Sequence, residues 1–164
     1  NPGAGARDFP YRFRLYDAQN ILVADREGSM YLAPNTITPV FEGQIPTGNR
    51  VAVRAFFDFL GSPQWVRAEE TGKLLIISNK KVPESSAEPR VTATITNTGT
   101  AVVFDVTVTA TVFDPSGNAI GVSKTVVSRL GGDESRDISF TWPNQFSAAI
   151  GRVDIVPIVA PPEF

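Results

Sequence analysis

Acidic residues form the only groupings in this sequence whose types and spacing could support catalysis or metal binding. Asp133, Glu134 and Asp137 surround a Gly-Gly turn, where converging carboxylates could bind Ca²⁺. Calcium requires about six or more oxygen ligands, and this spacing matches no calcium-loop signature, so a solvated turn is the favoured interpretation. Glu69 and Glu70 could form the carboxylate pair of a glycosidase. Adjacent residues of a strand point to opposite faces, however, which makes this pair a poor candidate.

The chain of 164 residues contains neither Cys nor His, and this absence removes much chemistry. Thiolate nucleophiles, disulfides and Cys- or His-ligated zinc are excluded. His-based acid–base catalysis and Ser-His-Asp triads are excluded for the same reason. An enzyme built from this sequence would depend on carboxylates, Lys or Tyr alone. We therefore predict a non-enzymatic protein with no catalytic residues, no metal ligands and no cofactor.

The charge and hydropathy patterns argue against a nucleic-acid partner and against a membrane span. The net charge is −2, and the 15 Lys and Arg residues are scattered, with Lys80-Lys81 as the one adjacent pair. Phosphate binding requires a clustered basic face, because affinity comes from the release of several counterions. The longest apolar runs, at 74–77 and 101–104, are far shorter than the roughly 20 residues that a spanning helix needs.

Alternation of apolar and polar residues dominates the sequence. Residues 91–97 and 106–112 place Val, Ile or Ala at every second position and mostly Thr between them. This period of two predicts half-buried antiparallel strands. Shorter alternation at 50–59 and 152–159 predicts further strands, and Pro157 suits a sheet edge, where its missing N–H costs no ladder bond. No window longer than about ten residues keeps a helical apolar stripe, so the predicted fold class is all-β.

The chain contains the same pattern twice, at a separation of about 97 residues. Repeats of this length are whole domains rather than solenoid units, so we predict two copies of one β-sandwich. The matched segments are Tyr16-Asp17 with Phe113-Asp114, Leu32-Ala-Pro-Asn35 with Leu130-Gly-Gly-Asp133, residues 41–45 with 138–142, and Asn20 with Asn118 after one inserted residue.

In each copy an Asp follows an aromatic residue at the end of a predicted strand. Asp17 and Asp114 are expected to open a turn, in which the carboxylate accepts a hydrogen bond from the backbone N–H two residues further on. The preceding aromatic residues, Tyr16 and Phe113, are expected to face the core. A unit of strand, Asp, turn and strand is typical of a β-hairpin.

One segment, residues 13–17, reads literally as the motif F-x-L-Y-D, and the chain resembles the FxLYD-type Ig-like domains of bacterial envelope and surface proteins. The second copy keeps this frame more loosely, with Phe in place of Tyr. The resemblance covers most of residues 9–60 and 90–156, and it implies a bacterial protein of extracellular or cell-envelope location. This family has no shared catalytic site, so its motif residues are assigned a structural role; they are Phe13, Leu15, Tyr16, Asp17, Phe113 and Asp114.

The predicted fold is therefore two tandem Ig-like antiparallel β-sandwich domains. The first domain spans residues 1–64, a linker follows at 65–72, and the second domain spans 73–164. Trp65 lies at the predicted boundary between the two copies. We expect it to pack between the domains, and the alternative is an exposed ring on which a sugar stacks.

The two copies differ at their beginnings. The second has predicted strands at 74–78 and 90–97, for which the first has no counterpart, because the sequence starts at the position equivalent to Asn97. We therefore expect the first sandwich, as written in this chain, to lack its opening strands. Such a sandwich would expose apolar residues, and Phe57 and Phe59 are the expected ones.

The sequence favours one class of function and leaves alternatives open. A structural or adhesive module of the cell surface, assembling by strand addition between chains, agrees with the repetition, the lack of catalytic chemistry and the unfilled first sandwich. A glycan- or peptide-binding sandwich would instead show an exposed aromatic row or a grooved edge. A trimmed fragment of a membrane-anchored envelope protein is the remaining alternative. We expect a protein partner or self-assembly to supply the missing strands.

Overall fold

The computed structural model describes residues 4–67, 74–83 and 89–160. The chain divides into two compact units, residues 1–68 and 69–164. The described residues form ten β-strands and no α-helix, all sheets are antiparallel, and the predicted all-β class is confirmed.

The second unit is a β-sandwich of two three-stranded sheets. One sheet has the order β5-β6-β9 and the other has the order β10-β7-β8. The strands expected at 74–78 and 90–97 are present as β5 and β6. The six strands are β5 (Leu75–Lys81), β6 (Arg90–Asn97), β7 (Val103–Phe113), β8 (Ala119–Leu130), β9 (Ser135–Thr141) and β10 (Arg152–Ile158).

Alternation along the strands builds the core of the second unit. Val91, Ala93 and Ile95 of β6 are buried, whereas the Thr residues between them are only partly buried. The inner residues of β7 are likewise buried, and the two sets pack together with Phe140 of β9 in one apolar cluster. Each fully buried Val or Ile stabilises the fold by roughly 1.5–3 kcal/mol. Pro157 lies on β10, an edge strand, as its missing N–H requires.

The first unit forms a single sheet. Its strands are β1 (Ala4–Tyr16), β2 (Leu22–Leu32), β3 (Arg54–Phe59) and β4 (Gln64–Arg67). The long strand β1 lies in the middle, between β2 on one side and β3 on the other, and its first residues pair with β4. The predicted linker is therefore wrong at residues 65–67, because these residues complete the first sheet, and its remaining residues lie outside the described part of the chain.

The sheet of the first unit and the β10-β7-β8 sheet of the second have the same register. Tyr16 of β1 pairs with Arg54 of β3, and Phe113 of β7 pairs with Arg152 of β10. An irregularity interrupts β1 and β2 between Leu15 and Tyr16, and the same irregularity recurs 97 residues later between β7 and β8. Three further pairs share a left-handed backbone at matching positions: Asp8 and Asp105, Asn20 and Gly117, and Asn35 and Asp133.

These left-handed residues correct the alignment of the first turn. Asn20 was expected to match Asn118 after an inserted residue, but Asn20 and Gly117 occupy the same place, with φ of 66° and 86°. The strands before the two turns, β1 and β7, end 97 residues apart, and the strands after them, β2 and β8, begin 97 residues apart. The two turns therefore have the same length, and no residue is inserted. Asn and Gly are the residues that adopt this conformation most readily, which explains why they replace each other here.

The first unit differs from the second in having no opposite sheet among its described residues. No residue from 37 to 47 lies in a strand, although residues 41–45 match part of β9 and the residues that follow it. A strand requires a neighbour to satisfy its backbone groups. In the second unit β9 pairs with β6, and the described part of the first unit contains no strand in that position.

The buried ring of Phe140 provides a test of the second sandwich. Phe140→Ala is expected to lower the free energy of unfolding of this unit by about 3–5 kcal/mol, because the truncation leaves a cavity. Denaturant unfolding followed by Trp142 fluorescence, in a Trp65→Phe background, measures the change. Phe104→Ala serves as the control, since its ring is 56% exposed. An equal loss in the two variants would contradict the assigned core.

Candidate functional site

The register of the first sheet gathers five aromatic residues on one face. Residues directly opposite each other on neighbouring strands share a face, and so do alternate residues along a strand. Tyr11 of β1 lies opposite Phe59 of β3, and Phe13 lies opposite Phe57. Phe9 occupies the same face two residues before Tyr11. We refer to these five residues, Phe9, Tyr11, Phe13, Phe57 and Phe59, as the aromatic face.

The rings of the aromatic face contact one another and remain partly open to solvent. Phe9 stacks on Phe59 with ring centroids 4.3 Å apart, and Phe57 contacts Phe13 at 5.0 Å and Phe59 at 5.1 Å. Phe9 and Tyr11 are buried, whereas Phe57 is 39% and Phe59 is 51% exposed. The predicted exposure of Phe57 and Phe59 is therefore confirmed. Large contiguous exposed apolar areas are rare on soluble monomers, and they commonly mark interaction surfaces.

A polar cluster covers the part of the aromatic face that lies next to β2. The Tyr11 hydroxyl donates a 2.5 Å hydrogen bond to Glu42, and Arg26 lies 3.3 Å from the second oxygen of the same carboxylate. Burial, together with this hydrogen bond to an anion, raises the pKa of Tyr11 to about 12, so the phenol stays protonated. Glu42 therefore holds the strandless segment of residues 37–47 against β1 and β2.

The second unit shows what covers the equivalent face. By register, Val108 and Ala110 of β7 correspond to Tyr11 and Phe13, and both are fully buried. In that sandwich β9 lies against β8, and β5 lies against β10. Lys80 of β5 reinforces this placement by donating a 2.6 Å hydrogen bond to a β10 carbonyl. The segment containing Glu42 therefore occupies the place of β9, and no strand among the described residues of the first unit occupies the places of β5 and β6.

The opposite face of the first sheet carries ion pairs together with the exposed ring of Phe56, which lies opposite Arg14. Arg12 pairs with Glu27 of β2 at 2.7 Å, and Arg14 pairs with Asp58 of β3 at 2.7 Å. Exposed pairs of this kind contribute little to stability, roughly 0–1 kcal/mol each. They keep this face solvated, so the aromatic face is the candidate interaction surface of the sheet.

The motif residues divide between the two faces, and one expectation about them is wrong. Phe13 belongs to the aromatic face, and Leu15 shares that side of the sheet by alternation. Tyr16, expected in the core, instead packs edge-on against Phe56, with centroids 5.5 Å apart. Phe113 lies under the guanidinium of Arg152 at 4.2 Å. The physical reason is the pleat: the residue before Phe113 is buried, so the next side chain points outwards.

The two motif aspartates build their turns with backbone hydrogen bonds. Asp17 accepts from the N–H groups of Gln19 and Ile21 at 3.0 and 2.9 Å. Asp114 accepts from Ser116 and Asn118 at 2.9 and 2.8 Å. Both carboxylates receive the N–H two residues further on, as their turn pattern predicts. Hydrogen bonds lower the pKa of both groups, mainly from Ile21 for Asp17 and from Asn118 for Asp114.

Trp65 lies on β4, opposite Ala6 of β1, and its side chain is 69% exposed. It is therefore part of the first sheet rather than of a linker. Its assignment as an interdomain contact or as a stacking platform stays a prediction.

The acidic candidates for chemistry are engaged elsewhere or lie outside the described residues. Glu134 accepts the N–H of Gly131 at 2.7 Å and contacts Arg136 at 2.6 Å, and both interactions lower its pKa. Asp137 accepts the hydroxyl of Thr94. Glu69 and Glu70 belong to the part of the chain that is not described. Across the described ranges, no three acidic side chains are gathered in a way that could hold a metal ion.

Sequence reasoning missed the polar cluster around Glu42. Its signal lies in the differences between the two units: by the registers of their sheets, Tyr11 and Arg26 occupy the positions that Val108 and Ser123 occupy in the second unit. A buried hydroxyl introduced at a core position requires a partner. That requirement could have directed attention to Glu42, the acidic residue of the matched segment 41–45.

Comparison with protein families agrees with the sandwich geometry and gives the chain its class. The second unit is an Ig-like domain of the kind found in extracellular and cell-surface proteins. The matching family model is CARDB, over residues 73–162, and the chain belongs to this family. The coarser resemblance, to Ig-like surface domains, is thus shown, whereas the FxLYD type is not shown. A comparison with curated proteins found no match. No helix in the described ranges has the length and hydropathy of a membrane span.

The lowered pKa values of the turn aspartates give a pH test. A carboxylate whose folded pKa lies below its unfolded pKa stabilises the fold above the unfolded value, and this contribution is lost as the pH falls through the folded value. We expect Asp17 and Asp114 to titrate below the ordinary value of about 3.9 in a ¹³C NMR titration. Asp114→Asn should remove part of the acid dependence of second-unit stability. A titration midpoint at or above the ordinary value would contradict the turn geometry.

Proposed function

We propose that this chain is a non-enzymatic structural or adhesive protein of the bacterial cell envelope or outer surface. The proposal includes a duplication, in which the two units are copies of one Ig-like domain. Support comes from CARDB membership, from the identical sheet registers and from the left-handed residues at matching positions. The absence of Cys and His, with the turn carboxylates engaged in hydrogen bonds, supports the non-enzymatic part.

Assembly through the first unit is the mechanism that we propose. The observation that carries it is the aromatic face, whose equivalent in the second unit is buried beneath β5, β6 and β9. Strand addition from another polypeptide would cover this face and also satisfy the backbone of residues 37–47. Main-chain hydrogen bonds would provide affinity, and the shape of the aromatic face would provide specificity.

Native mass spectrometry of surface-labelled protein tests this proposal. Intact source cells are treated with a membrane-impermeant amine-reactive biotin, and the labelled chain is purified and weighed under native and denaturing conditions. We expect biotinylation, together with a second polypeptide that is present only in the native spectrum. Phe57→Asp combined with Phe59→Asp should release that polypeptide, because charges on a covered apolar face cannot be desolvated.

Phe104→Asp is the matched control for this experiment, since Phe104 is as exposed as Phe59 but lies on the second unit. This variant should keep the second polypeptide. A native mass equal to one chain in the unmutated protein, or loss of the second polypeptide in the control as well, would overturn assembly through the aromatic face. Chains that are labelled only after cell lysis would overturn the surface location.

Glycan binding is the second candidate function, and the exposure of Trp65 and Phe59 favours it. Exposed rings can stack on the apolar faces of sugars. If this function holds, Trp65→Ala should lower affinity for envelope polysaccharide by about tenfold, in line with the loss of one stacking contact of roughly 1.4 kcal/mol. Affinity electrophoresis in polysaccharide gels measures the change, with Phe104→Ala as the control. Unretarded migration of the unmutated chain would exclude this candidate.

A further inference from the structure

We propose that the partner of the aromatic face is a two-stranded antiparallel segment with small side chains on its inner side. One strand would pair with residues 40–45 and lie over β1, and the other would lie over β3. This inference rests on the proposed function and specifies the chemistry of the partner. The second unit serves as an internal template for the first.

The template fixes the place of each strand. In the second unit β6 pairs with β9 and β5 pairs with β6, while β5 packs towards β10. In the first unit Glu42 already holds the β9-like segment against β1 and β2. The area over β1 and β3, where Phe57 and Phe59 are exposed, carries no strand from the described residues of this unit. Two strands are therefore required, in the places of β6 and β5.

The sizes of the facing side chains fix the pattern of the partner. The register aligns Phe13 with Ala110 and Tyr11 with Val108, so the first sheet carries larger residues at both positions. Facing sheets pack about 10 Å apart, and overfilling this space destabilises the fold. The segment of residues 41–45 partly compensates for these larger side chains, because Gly43 takes the position that Phe140 has in β9. The inner strand of the partner must supply the rest with Gly, Ala or Ser.

The outer side of the partner is specified by the same template. Thr92, Thr94 and Thr96 alternate with the buried residues of β6, and they lie on the solvent side of its sheet. The Thr94 hydroxyl donates a hydrogen bond to Asp137, and the hydroxyls of Thr96 and Ser135 are hydrogen-bonded to each other. Both partners lie on the neighbouring strand β9. A partner strand with small inner residues alternating with Thr or other β-branched polar residues therefore fits residues 40–45.

A fused donor tests whether the first unit accepts such strands. A second copy of residues 74–97 is placed directly before residue 1 of the full chain. Ala6 then follows the donor Asn97 by six positions, the spacing that separates Val103 from Asn97 in the second unit. Three donors are compared. One keeps Val91 and Ile95, one carries Val91→Ala with Ile95→Ala, and one carries Val91→Asp with Ile95→Asp.

Hydrogen–deuterium exchange of the backbone amides at 40–45 is the main measurement, and binding of the dye ANS reports exposed apolar surface. The Ala donor should slow exchange at 40–45 by about tenfold or more relative to the unfused chain, and it should reduce ANS binding. The unaltered donor should protect less, and the Asp donor should not protect. Exchange in β6 and β9 should stay unchanged throughout, because the second unit already has its strands.

The outcomes separate this inference from the proposed function. Exchange at 40–45 that no donor slows would overturn strand addition at this face. Protection by the unaltered donor equal to that by the Ala donor would overturn the size rule. Slower exchange at 40–45 in the fused chain, combined with a native mass of one chain for the unfused protein, would uphold this inference and overturn assembly between chains. A second polypeptide bound to the unfused protein, with no donor slowing exchange at 40–45, would uphold assembly between chains and overturn this inference.

Discussion

An amphipathic sheet is stable in water only when its apolar face is covered, and both units are organised around this requirement. In the second unit the requirement is met internally: Val91, Ala93 and Ile95 of one sheet pack on Val108 and Ala110 of the other. The first unit keeps the same central sheet but carries larger rings on its inner side. Among the described residues of this unit, the cover of that face lies towards β2, where Glu42 holds a strandless segment in place.

This requirement also explains the distribution of charge. The outer face of the first sheet pairs Arg12 with Glu27 and Arg14 with Asp58, so water can solvate it without cost to the fold. In the described part of the first unit, the inner face has one charged cluster, and that cluster lies where Tyr11 must satisfy its hydroxyl. Polarity therefore distinguishes the two faces of a sheet whose strands have the same backbone geometry. The aromatic face, which gathers five rings, is therefore the surface that we propose for interaction.

The sequence predicted those features that depend on local patterns. Alternation at 91–97 and 106–112 gave β6 and β7, and the Asp residues gave the turns, because both depend on near neighbours in the chain. The outward orientation of Tyr16 also follows from a local pattern, since Tyr16 comes directly after the inward-facing Leu15, and the expectation that it faces the core overlooked this alternation. The contact of Glu42 with Tyr11 joins residues 31 apart, and its position depends on tertiary packing.

The turn closed by Asp17 has a consequence for the speed of recognition. Its hydrogen bonds to the N–H groups of Gln19 and Ile21 are local and join β1 to β2, and Arg50 adds an ion pair to the same carboxylate from outside the turn. Short-range closure of this kind forms quickly, so the hairpin is ordered before any other molecule arrives. An incoming molecule therefore meets a preorganised surface, and the ordering entropy lost on docking is confined to a few residues. Among related ligands, residence time rather than encounter rate would then distinguish tight binders from weak ones.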